Sequence, residues 1–194
     1  MSRILILQGH PDSRQPHLCH ALAAHYRQGA ETAGHEVRSV NIAELDFPLV
    51  RSQEEWTQGS MPASLEEARD AIGWCEHLAL VFPLWLGDMP ALVKGFLEQV
   101  MRPHFAFEYE EGNPLGRKGL KGRSARVVVT MGMPALIYRH VFRAHSVKSL
   151  ERNILGFVGF SPVHETLIGS VEKLSETDCR HWLAKLERLG TQAK

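Results

Sequence analysis

The sequence lacks the marks of several protein classes. It has three cysteines and no Cys-x-x-Cys pair, so free thiols in a reducing compartment are expected rather than a disulfide framework. Its formal net charge is zero, which argues against a broad surface for nucleic acid or anionic membrane. No apolar run approaches the length of a membrane span, and the N-terminus lacks the features of a signal peptide. We therefore expect a cytoplasmic protein that binds no nucleic acid and does not insert in a membrane.

What the sequence contains is typical of one globular domain. Its 194 residues are 44% hydrophobic and 23% charged, which is ordinary for a chain that buries a sizeable core. No internal repeat, low-complexity tract or linker divides it. We expect a single domain over residues 1–194.

The stretch 78–98 organises the chain. Residues 78–82 form a short continuous apolar run, which is typical of a strand buried on both faces. Pro83 ends the strand because proline cannot donate to a sheet ladder. A loop containing Trp85 follows, and Pro90 stands at the first predicted helical position. Ligands bind at the carboxyl ends of strands in an open parallel sheet, although Trp85 taken alone could simply cap a core.

Strands and helices alternate through the rest of the sequence. Strands are predicted at residues 3–8, 35–41, 78–82, 125–130 and 162–168. Helices are predicted at residues 17–33, 64–75, 90–100, 138–156 and from 175 onward. Capping boxes at Ser64 and Ser175 open two of these helices. Residues 102–123 read as a long loop with a short extended piece at 104–109. The alternation predicts a three-layer α/β domain with a mainly parallel sheet.

Three loops should converge at one edge of this sheet, since each follows a buried strand and precedes a helix. They are residues 9–16, 83–89 and 130–135. The first lacks both GxGxxG and a Walker lysine, so neither standard nucleotide signature is present. It still leads to a helix N-terminus, where free N–H groups and a partial charge of about +0.5 favour an anion. His10 and Arg14 add donors there, and an ordinary polar turn is the alternative.

The other two loops complete a candidate site. Residues 84–86 offer an apolar wall, and Gly132 allows close approach of the backbone. Tyr138 and His145 follow on the next predicted helix, two turns apart and therefore on one face. A loop that favours an anion, an aromatic wall and backbone N–H donors together suit a flat aromatic cofactor with a phosphate tail. A flavin is the simplest candidate.

Several segments carry a resemblance to a known family. They are Gly9-His-Pro, the block from Phe82-Pro-Leu-Trp to Lys94-Gly-Phe, His104-Phe-Ala-Phe-Glu-Tyr, and Val129-Thr-Met-Gly with Tyr138 and His145. In order and spacing, over nearly the whole chain, they resemble the NAD(P)H:quinone oxidoreductase family. The resemblance implies a flavodoxin-like three-layer sandwich with a five-stranded parallel sheet. It also implies FAD or FMN, a homodimer with active sites at the interface, and two-electron hydride transfer by a ping-pong mechanism.

The resemblance implies roles for individual residues. The cofactor-binding positions fall in three groups: the phosphates on His10, Gln15, His17 and Leu18; the isoalloxazine ring on Pro83, Leu84, Trp85, Leu86 and Gly87; and the N1/O2 edge on Thr130, Met131, Gly132 and Met133. Phe105 and Phe107 would flank the ring as the substrate pocket. Tyr138 matches the active-site tyrosine, and His145 lies one position from the family's histidine.

This chain departs from the family at some of these positions. Many relatives have a hydroxyl residue in place of Gln15 and an asparagine in place of His17. The mammalian enzymes have an aromatic residue in place of Leu86.

A group of potential metal ligands, His17, Cys19 and His20, lies near the start of the first helix. No matching pair of ligands occurs elsewhere in the sequence, so no metal site is expected.

The sequence thus predicts a flavin-dependent NAD(P)H oxidoreductase that reduces quinones or similar electrophilic acceptors. Chain length favours FAD over FMN, and either NADPH or NADH could donate the hydride. A regulatory flavoprotein subunit of a potassium-efflux system is the main alternative, because some relatives have that role. A one-electron carrier of the flavodoxin type is a further alternative, but such carriers are usually strongly acidic.

Overall fold

The computed structural model describes residues 1–110 and 112–194 and has one central sheet of five parallel strands. The strand order is β2-β1-β3-β6-β7. Their bounds are β1 Arg3–Gln8, β2 Glu36–Asn41, β3 His77–Pro83, β6 Ser124–Thr130 and β7 Val163–Ile168. The predicted three-layer α/β sandwich with a five-stranded parallel sheet is confirmed.

Helices cover both faces of this sheet. Their bounds are α1 Leu18–Thr32, α2 Gln53–Gln58, α3 Glu66–Trp74, α4 Ala91–Val100, α5 Ala135–His140, α6 His145–Ser149, α7 Gly156–Val158 and α8 Glu176–Thr191. A π-helical segment, Leu150–Leu155, joins α6 to α7. Within the described residues, no helix combines the length and apolar character that crossing a membrane requires.

Alternation along the strands divides the core into two layers. Ile4 and Ile6 of β1 pack with Leu22 and Tyr26 of α1 and with Leu186 of α8. The intervening β1 residues pack in the other layer, together with residues from α3 and α4. All of β3 is buried, as expected for a central strand covered on both faces. The loops that follow the strands are therefore held by a two-sided core.

The long helix predicted over residues 138–156 is wrong. Helix α5 ends at His140, and α6 begins at His145. Between them Arg143 and Ala144 have φ values of 53° and 48°, which a right-handed helix does not accommodate. Residues 141–144 include no glycine, proline or asparagine, so no local residue type marks the break.

The two predicted capping boxes have different outcomes. At Ser175 the box is confirmed, because the hydroxyl accepts the N–H of Asp178 at 3.1 Å and the Asp178 carboxylate accepts the N–H of Ser175 at 3.1 Å. At Ser64 it is wrong: the hydroxyl donates to the carbonyl of Asp46, and a 3₁₀ turn at Ala63–Leu65 precedes α3. A distant loop thus competes for the Ser64 hydroxyl.

The region predicted as a long loop contains an antiparallel hairpin. Strand β4, Phe107–Glu110, pairs with β5, Asn113–Lys118. The predicted extended piece at 104–109 is therefore confirmed in part.

Pro90 lies one position earlier than predicted, as the N-cap of α4, with ψ of 144°.

The contact between α1 and α8 gives the first testable prediction. A Cβ on Gly29 would lie 1.9 Å from the carbonyl oxygen of Glu187, and one on Gly190 would lie 2.1 Å from that of Tyr26. We expect Gly29→Ala to lower the free energy of unfolding by about 1–3 kcal/mol, because the helices must separate. Urea denaturation followed by circular dichroism would measure the change.

Gly73→Ala is the matched control for this substitution. A Cβ on Gly73 meets only the ring of Phe105, at 3.4 Å. Since alanine is the better helix former by about 1 kcal/mol, this variant should be neutral or stabilised. Equal destabilisation by the two substitutions would contradict the close packing of α1 on α8.

Candidate active site

Loops at the carboxyl ends of β1, β3 and β6 converge on a cavity of about 280 Å³, which we call the strand-end cavity. Its lining residues are His10, His17, Leu18, Cys19, Pro83, Leu84, Trp85, Thr130, Met131, Gly132, Val171 and Glu172. Two backbone hydrogen bonds of 2.7 Å extend the sheet into these loops, from Gly9 N–H to Val81 O and from Leu84 N–H to Thr130 O. The predicted convergence of the three loops is confirmed.

Some residues predicted for the cofactor site do not line this cavity. They are Gln15, Leu86, Gly87 and Met133. Conversely, the prediction missed Cys19, Val171 and Glu172. The last two lie on a 3₁₀ turn, Val171–Lys173, just after β7. The sequence did offer a signal for them, because the predicted last strand must also end at this edge of the sheet.

The first loop brings three imidazole rings together. His10 is 7% exposed, and its ring stacks on that of His17 with centroids 3.7 Å apart. His20 lies 5.5 Å from His10, and the Trp85 ring meets His10 edge-on at 5.9 Å. The His17 Nε2 lies 3.2 Å from a carboxylate oxygen of Asp12. No set of three or more described His, Cys, Asp or Glu residues is placed to hold a metal ion.

Burial and hydrogen bonding set the charges of this loop. Burial lowers the pKa of His10 below its ordinary value, and the neighbouring His17 lowers it further. Burial also lowers the pKa of His20. The backbone N–H of Arg14 and the His17 ring lower the pKa of Asp12 to about 2. At neutral pH an ionised Asp12 therefore lies beside neutral rings of His10 and His20.

The N-terminus of α1 supplies further donors to the cavity. Among the described residues, the backbone N–H groups of Leu18 and Cys19 have no hydrogen-bond partner. Both residues line the cavity. The Cys19 thiol lies 3.1 Å from the Thr130 hydroxyl, and burial raises its pKa to about 11. Cys19 is therefore a neutral link between α1 and β6, while the helix end is suited to an anion.

The second loop makes a tight turn. Trp85 and Asp88 exchange backbone hydrogen bonds of 2.9 and 3.0 Å, and both residues between them have positive φ. Leu86, with φ of 48°, is fully exposed, although such a conformation is unfavourable for leucine. Since the N–H groups of Leu84 and Trp85 already have partners, only those of Leu86 and Gly87 are available to a ligand at the predicted ring-binding positions.

The third loop presents backbone donors beside a carboxylate. The Met131 N–H donates to Ile168 O at 2.9 Å, whereas those of Gly132 and Met133 have no partner within the described part of the chain. A Cβ on Gly132 would meet only the carboxylate of Glu172, at 3.7 Å. The backbone at Gly132 is therefore open to the cavity, with one negative charge nearby.

The structure separates Tyr138 from His145. Tyr138 is buried, and its hydroxyl lies 2.6 Å from the hydroxyl of Ser146 and accepts the N–H of Val147 at 3.4 Å. His145 is exposed. The shared helix face predicted for the two residues is wrong, because the chain turns between α5 and α6. Neither residue lines the strand-end cavity.

A second cavity adjoins the first at Trp85 and is connected to Tyr138 through a hydrogen bond. This adjoining cavity of about 440 Å³ is lined by Trp85, Leu86, Asp88, Met89, Pro90, Ala91, Lys94, Ser146, Ser149 and Ile154. Ser146, the hydrogen-bond partner of Tyr138, therefore faces this space. The Tyr138 hydroxyl reaches the candidate site through Ser146 rather than directly.

The two phenylalanines predicted for the substrate pocket lie away from the strand-end cavity. Phe105 packs over Gly73 of α3. Phe107 is buried, with its ring 4.9 Å from that of Phe157. It lines a third cavity of about 440 Å³ beside α4. Within one chain, the structure brings neither to the strand-end cavity.

The donor set fits a flat aromatic group that ends in a phosphate. Trp85, which is 49% exposed, offers a ring face. Unpaired N–H groups lie on two loops around it, and the open backbone at Gly132 leaves room that a side chain would fill. The α1 N-terminus lines the same cavity, with the His10 ring 5.9 Å from that of Trp85. These are the groups that a flavin nucleotide would require.

Comparison with known proteins places the chain in a family. The model of the flavodoxin-like fold family matches residues 2–189, and the chain belongs to this family. A relative from Haemophilus influenzae, named an uncharacterized NAD(P)H oxidoreductase, is 27% identical over 98% of this chain and 94% of its own. An FMN-dependent NADH:quinone oxidoreductase from Colwellia psychrerythraea is 27% identical over 48% of this chain and 46% of its own.

A solved structure agrees with these relatives. The NAD(P)H:quinone oxidoreductase from Methanothermobacter marburgensis superposes with a TM-score of 0.81 and 25% identity, covering 100% of this chain and 99% of the other. The resemblance found in the sequence is thus confirmed at the level of the family. The names of the relatives bear out the prediction of an oxidoreductase.

The buried Tyr138 hydroxyl yields a prediction about stability. Tyr138→Phe removes the partner of Ser146 and the acceptor for the Val147 N–H. We expect the free energy of unfolding to fall by about 1 kcal/mol, measured by urea denaturation. Ser146→Ala is the control, because it removes one of these two bonds and leaves the other. A larger loss in Ser146→Ala than in Tyr138→Phe would contradict the arrangement.

Proposed function

We propose that the chain is an FMN-dependent NAD(P)H oxidoreductase that reduces quinone-like acceptors by two electrons. The observation that carries the proposal is the strand-end cavity, where an aromatic wall, unpaired N–H groups and an anion-binding helix end face one space. The names of relatives support the chemistry. They also favour FMN over FAD, the cofactor that chain length favoured, because those that specify a flavin name FMN.

Each wall of the site has a part in this function. Leu18 and Cys19 would hold the phosphate with their backbone N–H groups, helped by His10 and His17. Trp85 would exclude water from one face of the ring. A bound flavin would supply the centre that accepts and returns the hydride.

Backbone donors on the other two loops would handle the developing charge. Gly132 and Met133 would donate N–H groups to the pyrimidine edge, where reduction places negative charge. Leu86 and Gly87 could donate to the central ring. Tyr138 would act through Ser146, whose hydroxyl faces the adjoining cavity. That cavity would take the nicotinamide and the acceptor in turn, which is the ping-pong order.

The proposal is tested by visible absorbance of the purified protein. We expect an oxidised flavin spectrum that bleaches on anaerobic addition of NADH or NADPH and returns when a quinone is added. Mass spectrometry of the released cofactor distinguishes FMN from FAD. Protein that takes up neither flavin would overturn the proposal, and a stable semiquinone during titration would favour the one-electron carrier.

Gly132→Val sharpens this test. Its side chain would point into open space, since only Glu172 lies near, so folding should be kept while the cavity is blocked. We expect a melting temperature close to that of the parent and at least tenfold weaker FMN binding. The Gly73→Ala protein serves as the control for a glycine outside the cavity. Full FMN affinity in Gly132→Val would place the ring elsewhere.

We also propose that the chain forms a homodimer through an apolar patch on and after α5. Its members are Leu136, Ile137, Val141 and Phe142, all 45–71% exposed. Contiguous exposed apolar residues mark interaction surfaces. The fully exposed Leu86 borders the adjoining cavity, which α6 also lines. A second copy covering this region would close the site.

A charge in the patch should separate the two copies. We expect Leu136→Glu to change a dimer into a monomer in sedimentation velocity, because a buried carboxylate is costly. The control is Leu49→Glu, since Leu49 is 52% exposed and lies outside the patch. A dimer that survives the Leu136 substitution, or a monomeric parent protein, would contradict the proposed interface.

A further inference from the structure

The turn after β7 is bonded to the third loop of the site. The Ser170 N–H donates to the carbonyl of Met133 at 3.0 Å, and the Val171 N–H donates to that of Met131 at 3.2 Å. Ser170 itself has a left-handed φ of 55°, where the strand gives way to the turn. The next residue of the turn, Glu172, therefore has its backbone held beside the third loop.

The carboxylate of Glu172 lines the strand-end cavity without a partner. One of its oxygens lies 3.7 Å from the position that a Cβ on Gly132 would occupy. Among the described residues it makes no hydrogen bond or ion pair, and no lysine or arginine of the described chain lines the cavity. Because the side chain is exposed, it carries a negative charge at neutral pH. That charge is not balanced by a cation in the lining.

The same wall carries two backbone donors of the opposite effect. The N–H groups of Gly132 and Met133 have no partner among the described residues and would face the pyrimidine edge of a flavin. Hydride transfer adds two electrons and one proton to the ring, so the ring gains one negative charge unless a second proton follows from solvent. The N–H dipoles stabilise that charge, whereas the Glu172 carboxylate repels it.

We propose that Glu172 lowers the reduction potential of the bound flavin by repelling the charge that the ring gains on reduction. The inference rests on the proposed function and adds a residue that tunes its cofactor. Glu172 takes no proton and forms no bond in this role, so it is a positioning residue rather than a catalytic one. A lower potential makes the reduced cofactor a stronger hydride donor toward quinone-like acceptors.

The overall reaction balances without any change at Glu172. The two electrons come from NAD(P)H, which loses a hydride and is oxidised to NAD(P)⁺. They leave with the quinone, which takes the hydride and one proton from solvent and is reduced to the hydroquinone. The carboxylate acts only through its field, which is present in every step.

The reduction potential separates this effect from a general repulsion of the cofactor. A carboxylate in the cavity also repels the phosphate of FMN, but the phosphate is present in both redox states. Its contribution therefore cancels in the potential, which depends on the ratio of the affinities for reduced and oxidised flavin. Asp12, the carboxylate of the first loop, lies 3.2 Å from the His17 ring instead.

Anaerobic reduction of the FMN-loaded full chain in equilibrium with a reference dye measures this potential. We expect Glu172→Gln to raise it, because the amide has nearly the size of the carboxylate without its charge. At a fixed solution potential the ratio of reduced to oxidised flavin should rise about three- to tenfold, which is about 15–30 mV for a two-electron couple.

Salt and a conservative variant distinguish a charge effect from a change in packing. The Debye length falls from about 10 Å at 0.1 M to about 3 Å at 1 M ionic strength. The difference in potential between the parent and Glu172→Gln should therefore shrink at the higher salt. Glu172→Asp keeps the charge and should retain a potential close to that of the parent.

Glu176→Gln is the matched control. Glu176 lies in the first turn of α8, its side chain is 92% exposed, and it does not line the cavity. The substitution removes the same charge from the protein, so an effect of net charge alone would appear in both variants. We expect the potential of Glu176→Gln to equal that of the parent.

The outcomes separate the inference from the proposed function. A potential that is unchanged or lowered in Glu172→Gln, or raised equally in Glu176→Gln, overturns the inference and leaves the flavin proposal standing. A shift that persists undiminished at 1 M salt also overturns it, because the shift would not arise from the charge. Failure of the parent protein to take up either flavin overturns the two together.

Discussion

The site depends on the backbone ladder of the parallel sheet continuing past the ends of its strands. Gly9 bonds to the carbonyl of Val81 and Leu84 to that of Thr130, so three loops start from fixed points at one edge. A Cβ on Gly9 would lie 2.8 Å from a methyl carbon of Val93, which shows how closely α4 presses on this edge. Rigid strand ends thus position backbone donors that side chains alone could not hold.

The charged side chains at this edge are few, and most of them are acidic. An ionised Asp12 and the exposed Glu172 lie around neutral rings and unpaired N–H groups. The phosphate proposed for this edge would be held through oriented dipoles more than through fixed cations. Arg14, the basic residue of the first loop, has a side chain that is 90% exposed and lies 3.4 Å from the Asp12 carboxylate. Within the described residues, the lining of the strand-end cavity includes no lysine or arginine.

Much of this arrangement could be predicted from the sequence. The alternation of strands and helices predicted the layers, and the buried strands before residues 9–16, 83–89 and 130–135 predicted the edge at which these loops converge. What failed was the single helix predicted over residues 138–156, because the break before α6 arises from contacts of Tyr138 and Ala144 rather than from a local signal. The predicted position of the Phe105 side chain was also wrong. The sequence pattern places Phe105 on an extended segment, but only tertiary packing shows that its ring lies over Gly73.

The close packing of α1 on α8 has a consequence for folding during synthesis. The helix that begins at the strand-end cavity packs backbone to backbone on the last helix of the fold, and Tyr26 reaches the carbonyl of Lys194 at 3.3 Å. On the ribosome, α1 emerges before α8 and has no such neighbour until α8 follows. The nascent chain would therefore acquire the packing that holds α1 in place only after α8 has been made.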